Sequence, residues 1–437
     1  MTRIVLAGGR VIDPASGRDE VADLIIADDR IAAGPDAVAR PGDTTLSCAG
    51  RLVVPGFIDL HVHLRQPPFS DPRHVPDADE LAETIMTGAA AAVAGGFTTV
   101  CAMPNTRPPL DSAEAVAWYI EEGRRVGLAR VLPVGCQTLG RAGRRPADLA
   151  AMRAVGAAAF SDDGSDVADA EVFERVLELA ARIDVPVMCH CEDAALAAGG
   201  ILNDGPLATA IGLPGIPREA EDMATHRACE AAARTGCRTH ISHVSTEGAV
   251  EIVRRAKAAG APVTAEATPH HLTLVDEALA GRNTVYRVNP PLRTGHDVDA
   301  VLAGVRDGTI DCLATDHAPH TAEAKAKRLA EAPPGMIGME SALPVYVRAL
   351  VEPGLLTWPQ LVARLTANPA RVLGIAAGTL VPGAPADVTV IDPETLWTID
   401  PARFASRARN CPFAGWEVRS RVVMTLVGGR RVFERGG

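Results

Sequence analysis

Metal-ligating side chains recur along this sequence, each group at the end of an apolar run. His61-Val62-His63 follows GFIDL, Asp162-Asp163-Gly164 follows AFS, His190 closes VPVMCH, His243 stands in THISHVS, and Asp316 stands in LATDHAPH. Imidazoles and carboxylates are the ligands that divalent transition metals take. Residues i and i+2 of a strand share a face, so His61 and His63 enter the same space. Such a pair alone says little, and His190 or His243 alone reads as readily as a hydrogen-bonded core histidine. Together, at matching strand ends, they point to one metal centre. Neutral imidazoles leave a dication uncompensated, and Asp316 with Asp162 or Asp163 can supply the missing negative charge. Asp-Asp-Gly is also ordinary turn chemistry. Six ligands accommodate two divalent ions roughly 3.5–4 Å apart, bridged by a hydroxide that serves as nucleophile. Asp316, at the end of the last run, is placed to accept that hydroxide's proton and return it to a leaving nitrogen. His240, three residues before His243, faces the other way on an ideal strand and reads as structural.

The elements that must hold these residues follow a regular beat. Apolar strand candidates fall at residues 56–64, 97–105, 130–138, 157–164, 185–193, 239–245, 263–271 and 311–319. Between most of them lie stretches of helical spacing, such as AEVFERVLELAARI behind Asp169, and GAVEIVRRAKAAG. Eight such alternations predict a (β/α)8 TIM barrel, whose active site sits at the C-terminal mouth, where the polar residues fall. A doubly wound open sheet is the rival, but no glycine-rich dinucleotide loop follows any strand. Both chain ends carry short alternating segments broken by Asp-Pro and Gly, which predicts a small β-sandwich domain formed from the two ends. The expected division is residues 1–54 and 376–437 for that composite domain, and 55–375 for the catalytic barrel.

Bulk properties narrow the function classes. A net charge of −11 without basic tracts argues against nucleic acid and anionic membranes as partners. No apolar run approaches the ~20 residues of a membrane span, and the N-terminus lacks signal-peptide character, so a cytoplasmic location is expected. Nine scattered cysteines read as reduced, buried thiols. Cys189 and Cys191 flank His190, but alternation places them on the opposite face, in the core. Lysine occurs only at Lys257, Lys325 and Lys327.

The motifs PGFIDLHVHLR, GGFTTVCAMPNTRP, AFSDDG, HCED, HVST, VTAEATPHHL, NPPLR, ATDHAPHT and CPFAGW together resemble the dihydroorotase family of the amidohydrolase superfamily, the bacterial class I type most closely, over essentially the whole chain. The resemblance implies a zinc enzyme with one or two ions per subunit, two favoured. His61, His63 and Asp316 would hold one ion, and His190 and His243 the other. Asp163 would bridge them where many relatives use a carboxylated lysine, and no lysine lies before residue 257 to take that role. Arg65 and Asn105, assisted by His320, match the residues that bind the substrate's α-carboxylate, which a guanidinium fork suits. A salt bridge at the mouth is the plain reading of Arg65. Asn289 and the backbone around Pro334 and Gly335 match the ring contacts, and His63 also faces substrate. The implied reaction is the reversible interconversion of N-carbamoyl-L-aspartate and L-dihydroorotate in pyrimidine synthesis. Metal-bridging hydroxide would attack the ring amide, and Asp316 would act as general acid/base.

The rival readings are another cyclic amidase, of dihydropyrimidinase or allantoinase type, and an inactive structural partner of aspartate carbamoyltransferase. Every expected ligand is present, which speaks against the second. Association with that carbamoyltransferase and a homodimer stay open as partnerships beside the small-molecule substrate. Two departures from the family pattern stand out. Gln66 replaces an acid before an insertion at residues 67–79, and Gly335-Met336 replaces an aromatic-containing segment. Residues 321–333, charged and helix-like, read either as a cover over the site or as a surface helix.

Overall fold

A computed structural model describes residues 3–69 and 80–436 of the chain; most of the insertion at 67–79 therefore lies outside the described residues. Eight parallel strands pair in chain order: Phe57–Val62, Phe97–Ala102, Arg130–Gly135, Ala159–Phe160, Val187–Cys189, Thr239–Ile241, Val263–Ala267 and Cys312–Leu313. A parallel bridge between Val62 and His317, with His63 N donating to His317 O at 2.9 Å, joins the last strand to the first. The TIM barrel read from the sequence is thus present, and each strand lies inside its expected segment. The ladders are shorter than the apolar runs because each run continues past its last ladder bond into the polar residues of the mouth.

Local chemistry explains why helices follow the strands. Asp169 caps the helix Ala170–Arg182 by accepting from Glu171 N and Val172 N, and Thr246 caps Glu247–Ala258 through Ala249 N. Their apolar faces, including Phe173, Val176, Leu177, Val250 and Val253, are buried in the main hydrophobic layer of the barrel. With so few aromatics, Val, Leu, Ile and Ala fill most of that layer. Cys189 and Cys191 belong to it as well, together with Ala224, Ala228 and Cys229 of the helix Arg218–Thr235. All nine cysteines are free and buried, as expected of reduced thiols.

The strand-rich ends form one separate sheet. Arg3–Asp13 pairs antiparallel with Arg18–Ala27 and parallel with Leu52–Pro55. Leu52–Pro55 in turn pairs antiparallel with Val388–Thr398, in the register Val388↔Pro55 to Ile391↔Leu52, and Glu417–Val427 and Arg430–Glu434 complete that side. Asp13, fully buried, ties the two ends across the sheet: its Oδ2 accepts from Leu380 N at 2.9 Å and from Thr379 Oγ1 at 2.8 Å. Asp387 ties the sheet to the barrel by accepting from the Arg130 guanidinium through both oxygens, and within the sheet it accepts from Gly428 N. Among the described residues no helix is long and apolar enough to cross a membrane.

Asp13→Ala strands the buried Leu380 N–H, so we expect a loss of about 1–3 kcal/mol of stability. A denaturant titration that leaves the unfolding midpoint of this variant in place would show that the two ends are held by other contacts.

Candidate active site

The apolar strands deliver their polar ends to one cavity of about 410 Å3 at the mouth. It is lined by His63, Asp163, His190, His243 and Asp316 on the floor, and by Arg65, Asn105, Asn289, His320, Pro334 and Gly335 on the walls. His61, fully buried, lies beneath them. The twelve residues that the family resemblance assigns to the site therefore meet at one place. Several are held in the left-handed backbone region, with φ of 59° at Arg65, 36° at His243 and 46° at Asp316. Non-glycine residues pay about 1–3 kcal/mol for such conformations, which persist where the surroundings over-determine them and cluster at functional sites.

The histidines are oriented from behind. His61 Nδ1 faces Glu266 Oε1 at 3.0 Å, and His63 Nδ1 faces Asn105 Oδ1 at 2.9 Å. A carboxylate or amide oxygen requires the ring nitrogen to donate, so in the neutral rings both Nε2 atoms turn lone pairs inward. There they meet more acceptors: His61 Nε2 lies 3.2 Å from Asp163 Oδ1 and 3.7 Å from Asp316 Oδ1, and His63 Nε2 lies 3.1 Å from Asp316 Oδ1. His61 Nε2 and Asp163 Oδ1 are buried without a hydrogen-bond partner. Lone pairs facing lone pairs in a buried site call for a cation. Two ligand groups answer that demand, His61/His63/Asp316 and His61/Asp163/His243. His190 completes the floor, its Nδ1 3.0 Å from His243 Nε2 and 3.6 Å from Asp163 Oδ1. The residues present fit a divalent metal centre.

The electrostatics agree. Burial alone would raise the carboxyl pKa of Asp163, but His61, His190 and His243 hold it well below its ordinary value. Burial opposes ionisation of Asp316 too, and His63, His61 and His243 override it. Conversely, burial would lower His61, yet Asp163, Glu266 and Asp316 raise it well above the ordinary imidazole value. The positive charge these carboxylates draw onto His61 is the charge a dication would supply.

Asp162 and Asp163, which the sequence left undivided, part here. Asp163 enters the floor, while Asp162 ties its loop to the one after the third strand by accepting from Gln137 N at 2.9 Å, Thr138 N at 3.1 Å and the Thr138 hydroxyl. On the walls, Arg65 Nη2 lies 3.4 Å from His320 Nε2, and Arg65 Nε donates to Pro319 O at 3.2 Å. Asn289 Nδ2 lies 3.4 Å from His190 Nε2, and Asn289 Oδ1 is buried without a partner. Gln66 keeps the acceptor that an acid would have offered: its Oε1 takes the N–H of Ile85, at the start of the helix Ile85–Ala94. Met336 packs into an apolar cluster with Leu292, Val345 and Phe413. Of residues 321–333, only Ala322–Lys325 is helical, and Lys325, Leu329 and Ala332 are buried.

Sequence reasoning missed the layer behind the ligands. Glu266 bonds His61 with one oxygen and His240 Nε2 with the other, at 3.0 Å each, and those bonds bring its carboxyl down to about 2 against its burial. His240, read as structural, is the far end of this chain, and its Nδ1 lies 2.8 Å from Thr264 Oγ1. Asp59 accepts from His61 N, Thr315 N and Thr315 Oγ1, linking the first strand to the last. Alternation offered a signal for Asp59, which is two residues before His61 as His61 is before His63. The lone carboxylate in VTAEA offered one for Glu266. Arg107 and Arg141 also line the cavity, and Arg141 Nη2 donates to the backbone carbonyl of Asp163.

Known proteins place this geometry. The model of the amidohydrolase family matches residues 52–432, and the chain belongs to that family. Within it, the chain is similar to the dihydroorotase of Pelotomaculum thermopropionicum, at 47% identity with 99% of each chain covered. The dihydroorotase of Geobacter metallireducens is 44% identical, covering 99% of this chain and 100% of its own. The full-length identity sets the chain among the dihydroorotases. Among solved structures, the L-hydantoinase (dihydropyrimidinase) of Arthrobacter aurescens superposes with a TM-score of 0.83 at 25% identity, covering 100% of this chain and 97% of its own.

Glu266 orients His61 without entering the cavity. Glu266→Gln should weaken divalent-metal affinity about 10–100-fold, the usual effect of removing a carboxylate behind a ligating histidine. Competition against a chromogenic chelator measures it, and unchanged affinity would remove Glu266 from the metal centre's support.

Proposed function

We propose that this chain is a dihydroorotase that opens L-dihydroorotate to N-carbamoyl-L-aspartate and closes it again, with His61, His63, Asp163, His190, His243 and Asp316 as metal ligands. The observation that carries the reading is one cavity with ligating carboxylates and imidazoles on its floor and the Arg65 guanidinium on its wall. Such a cavity suits a cyclic amide that bears a carboxylate. The ligand set suits zinc, and six ligating side chains at one place exceed the four positions of a single tetrahedral ion, which favours two ions. A bound dication supplies Lewis-acid polarisation of the scissile carbonyl and eases deprotonation of water.

The chain's own residues do the rest. Arg65 and Asn105, with His320 beside them, hold the α-carboxylate, and Asn289 with the backbone at Pro334 and Gly335 holds the ring. Asn105 has its Oδ1 engaged by His63, which leaves its Nδ2 as the donor for a carboxylate oxygen. The buried, unpartnered Oδ1 of Asn289 is an acceptor for a ring N–H. Asp316, kept ionised by its histidines, takes the proton of the attacking water as the carbon–oxygen bond forms at the ring carbonyl. It returns that proton to the ring nitrogen as the carbon–nitrogen bond breaks. Ring closure runs the same transfers backwards. Buried thiols throughout suit a cytoplasmic setting.

Turnover of dihydroorotate beside dihydrouracil, with the zinc-replete chain, tests the reaction. Opening of dihydroorotate alone is expected; opening of dihydrouracil would move the chain to a sister amidase, and turnover of neither would favour an inactive partner. Arg65→Met should raise KM for dihydroorotate about 10–100-fold, the worth of a charge-assisted contact. An unchanged preference between the two rings would contradict the carboxylate clamp. Asp316→Asn should lower kcat at least about 10²–10⁴-fold with metal content largely preserved. Near wild-type turnover would end its assignment as acid/base.

A further inference from the structure

Lys325 closes the single helical turn Ala322–Lys325, and it is 6% exposed. Its ammonium donates to three backbone carbonyls: Gly335 O at 2.9 Å, Pro333 O at 3.0 Å and Arg287 O at 3.3 Å. Those acceptors come from two separate segments. Pro333 and Gly335 lie on the cavity wall, and Arg287 stands two residues before Asn289, which lines the same cavity. The arrangement is reinforced around its edge. Gly335 N donates to Arg287 O at 2.8 Å, the Arg287 guanidinium donates to Leu329 O and Ala332 O, and the Thr284 hydroxyl donates to Lys325 O. Burial and the neighbouring Arg287 push the lysine's pKa down to about 7, so holding an ammonium here is costly. A residue that only filled space could be aliphatic.

What the clasp holds matters for substrate. Gly335 has φ +135°, and a Cβ there would stand 2.8 Å from His320 Nε2 and 2.8 Å from Ala318 Cβ. The wall therefore presses against His320, whose Nε2 lies 2.8 Å from Pro334 O and 3.4 Å from Arg65 Nη2. On the other flank, Asn410 Nδ2 donates to Gly335 O and Ala318 O at 3.1 Å each, and Asn410 Oδ1 accepts from His320 N at 3.3 Å. One carbonyl, Gly335 O, is thus gripped from two sides, by a lysine of the loop and by an asparagine of the C-terminal segment.

We infer that Lys325 is a positioning residue for substrate recognition: by joining Arg287, Pro333 and Gly335 it sets the wall against which His320 and Arg65 are aligned for the substrate carboxylate. This rests on the dihydroorotase reading for its kinetic consequence. Lys325 touches neither the metal ligands nor the reacting atoms, so its loss falls on binding and spares the chemical step.

The test uses Lys325→Met in the full-length, metal-replete chain, with Lys325→Arg as a milder second variant. For Lys325→Met, KM for dihydroorotate should rise about 10–100-fold, the worth of a charge-assisted contact to the substrate carboxylate lost through misalignment. Its kcat should stay within about threefold and its metal content should not change; Lys325→Arg, still a donor, should lie between it and the wild type. Hydrogen exchange at the amides of Gly335 and Ile337 should quicken about tenfold or more in Lys325→Met. KM within twofold of the wild type, or a fall in kcat or metal content at constant KM, would overturn the inference. If the wild-type chain opens no dihydroorotate, the functional reading fails instead, and the exchange measurement alone decides the clasp: unchanged protection at Gly335 and Ile337 sinks it.

Discussion

Four imidazoles and two carboxylates, all buried, crowd one space, and their charges must balance there. Glu266 and Asn105 take the outer nitrogens of His61 and His63, so the inner nitrogens of the neutral rings present lone pairs. Asp163 and Asp316 present more lone pairs at 3.1–3.7 Å. In a low-dielectric pocket such an arrangement is tolerable only with positive charge at its centre. Everything nearby serves to keep these groups together. Asp59 binds the first strand to the last, Arg141 holds the backbone of Asp163, and the left-handed turns at His243 and Asp316 aim their side chains inward.

A barrel suits this constraint because it makes eight strand ends converge. Hydrogen bonds between neighbouring strands set the height at which each end emerges, and helix packing outside holds the ring against charge repulsion within. The sheet built from the two chain ends sits apart from the chemistry. It is joined to the barrel by the bonds of Asp387 to Arg130, and Asp13 ties its two ends together. The wall of the cavity is a different kind of construction. It consists of loops, so it needs discrete clamps where strands would have ladders, and Lys325 and Asn410 occupy that position.

The fold superposes on hydantoinases, while the sequence aligns along its whole length with dihydroorotases. The two findings are compatible because a barrel of this kind carries its substrate choice in the loops above a common floor. The cationic residues here, Arg65, Arg107 and Arg141, stand at that upper level.

The barrel and the gathering of histidines and carboxylates at its mouth were legible in the sequence because both rest on short-range periodicity. Apolar runs at a regular beat define strands, alternation puts His61 beside His63, and a histidine or carboxylate at each run's end marks the mouth. Which of Asp162 and Asp163 enters the site was not decided by the residues themselves, since both are turn formers and only the path of the backbone after Phe160 separates them. Nor could alternation within one strand reveal that His240 and Glu266, on neighbouring strands, meet behind His61. The pairing of Leu52–Pro55 with Val388–Thr398 and the clasp of Lys325 on Arg287 and Gly335 lie further still from local pattern. Such contacts join residues tens to hundreds of positions apart through backbone carbonyls and amides, which every residue carries alike. Side-chain identity encodes what a residue can bind; only the folded path of the chain decides which backbone groups come within its reach.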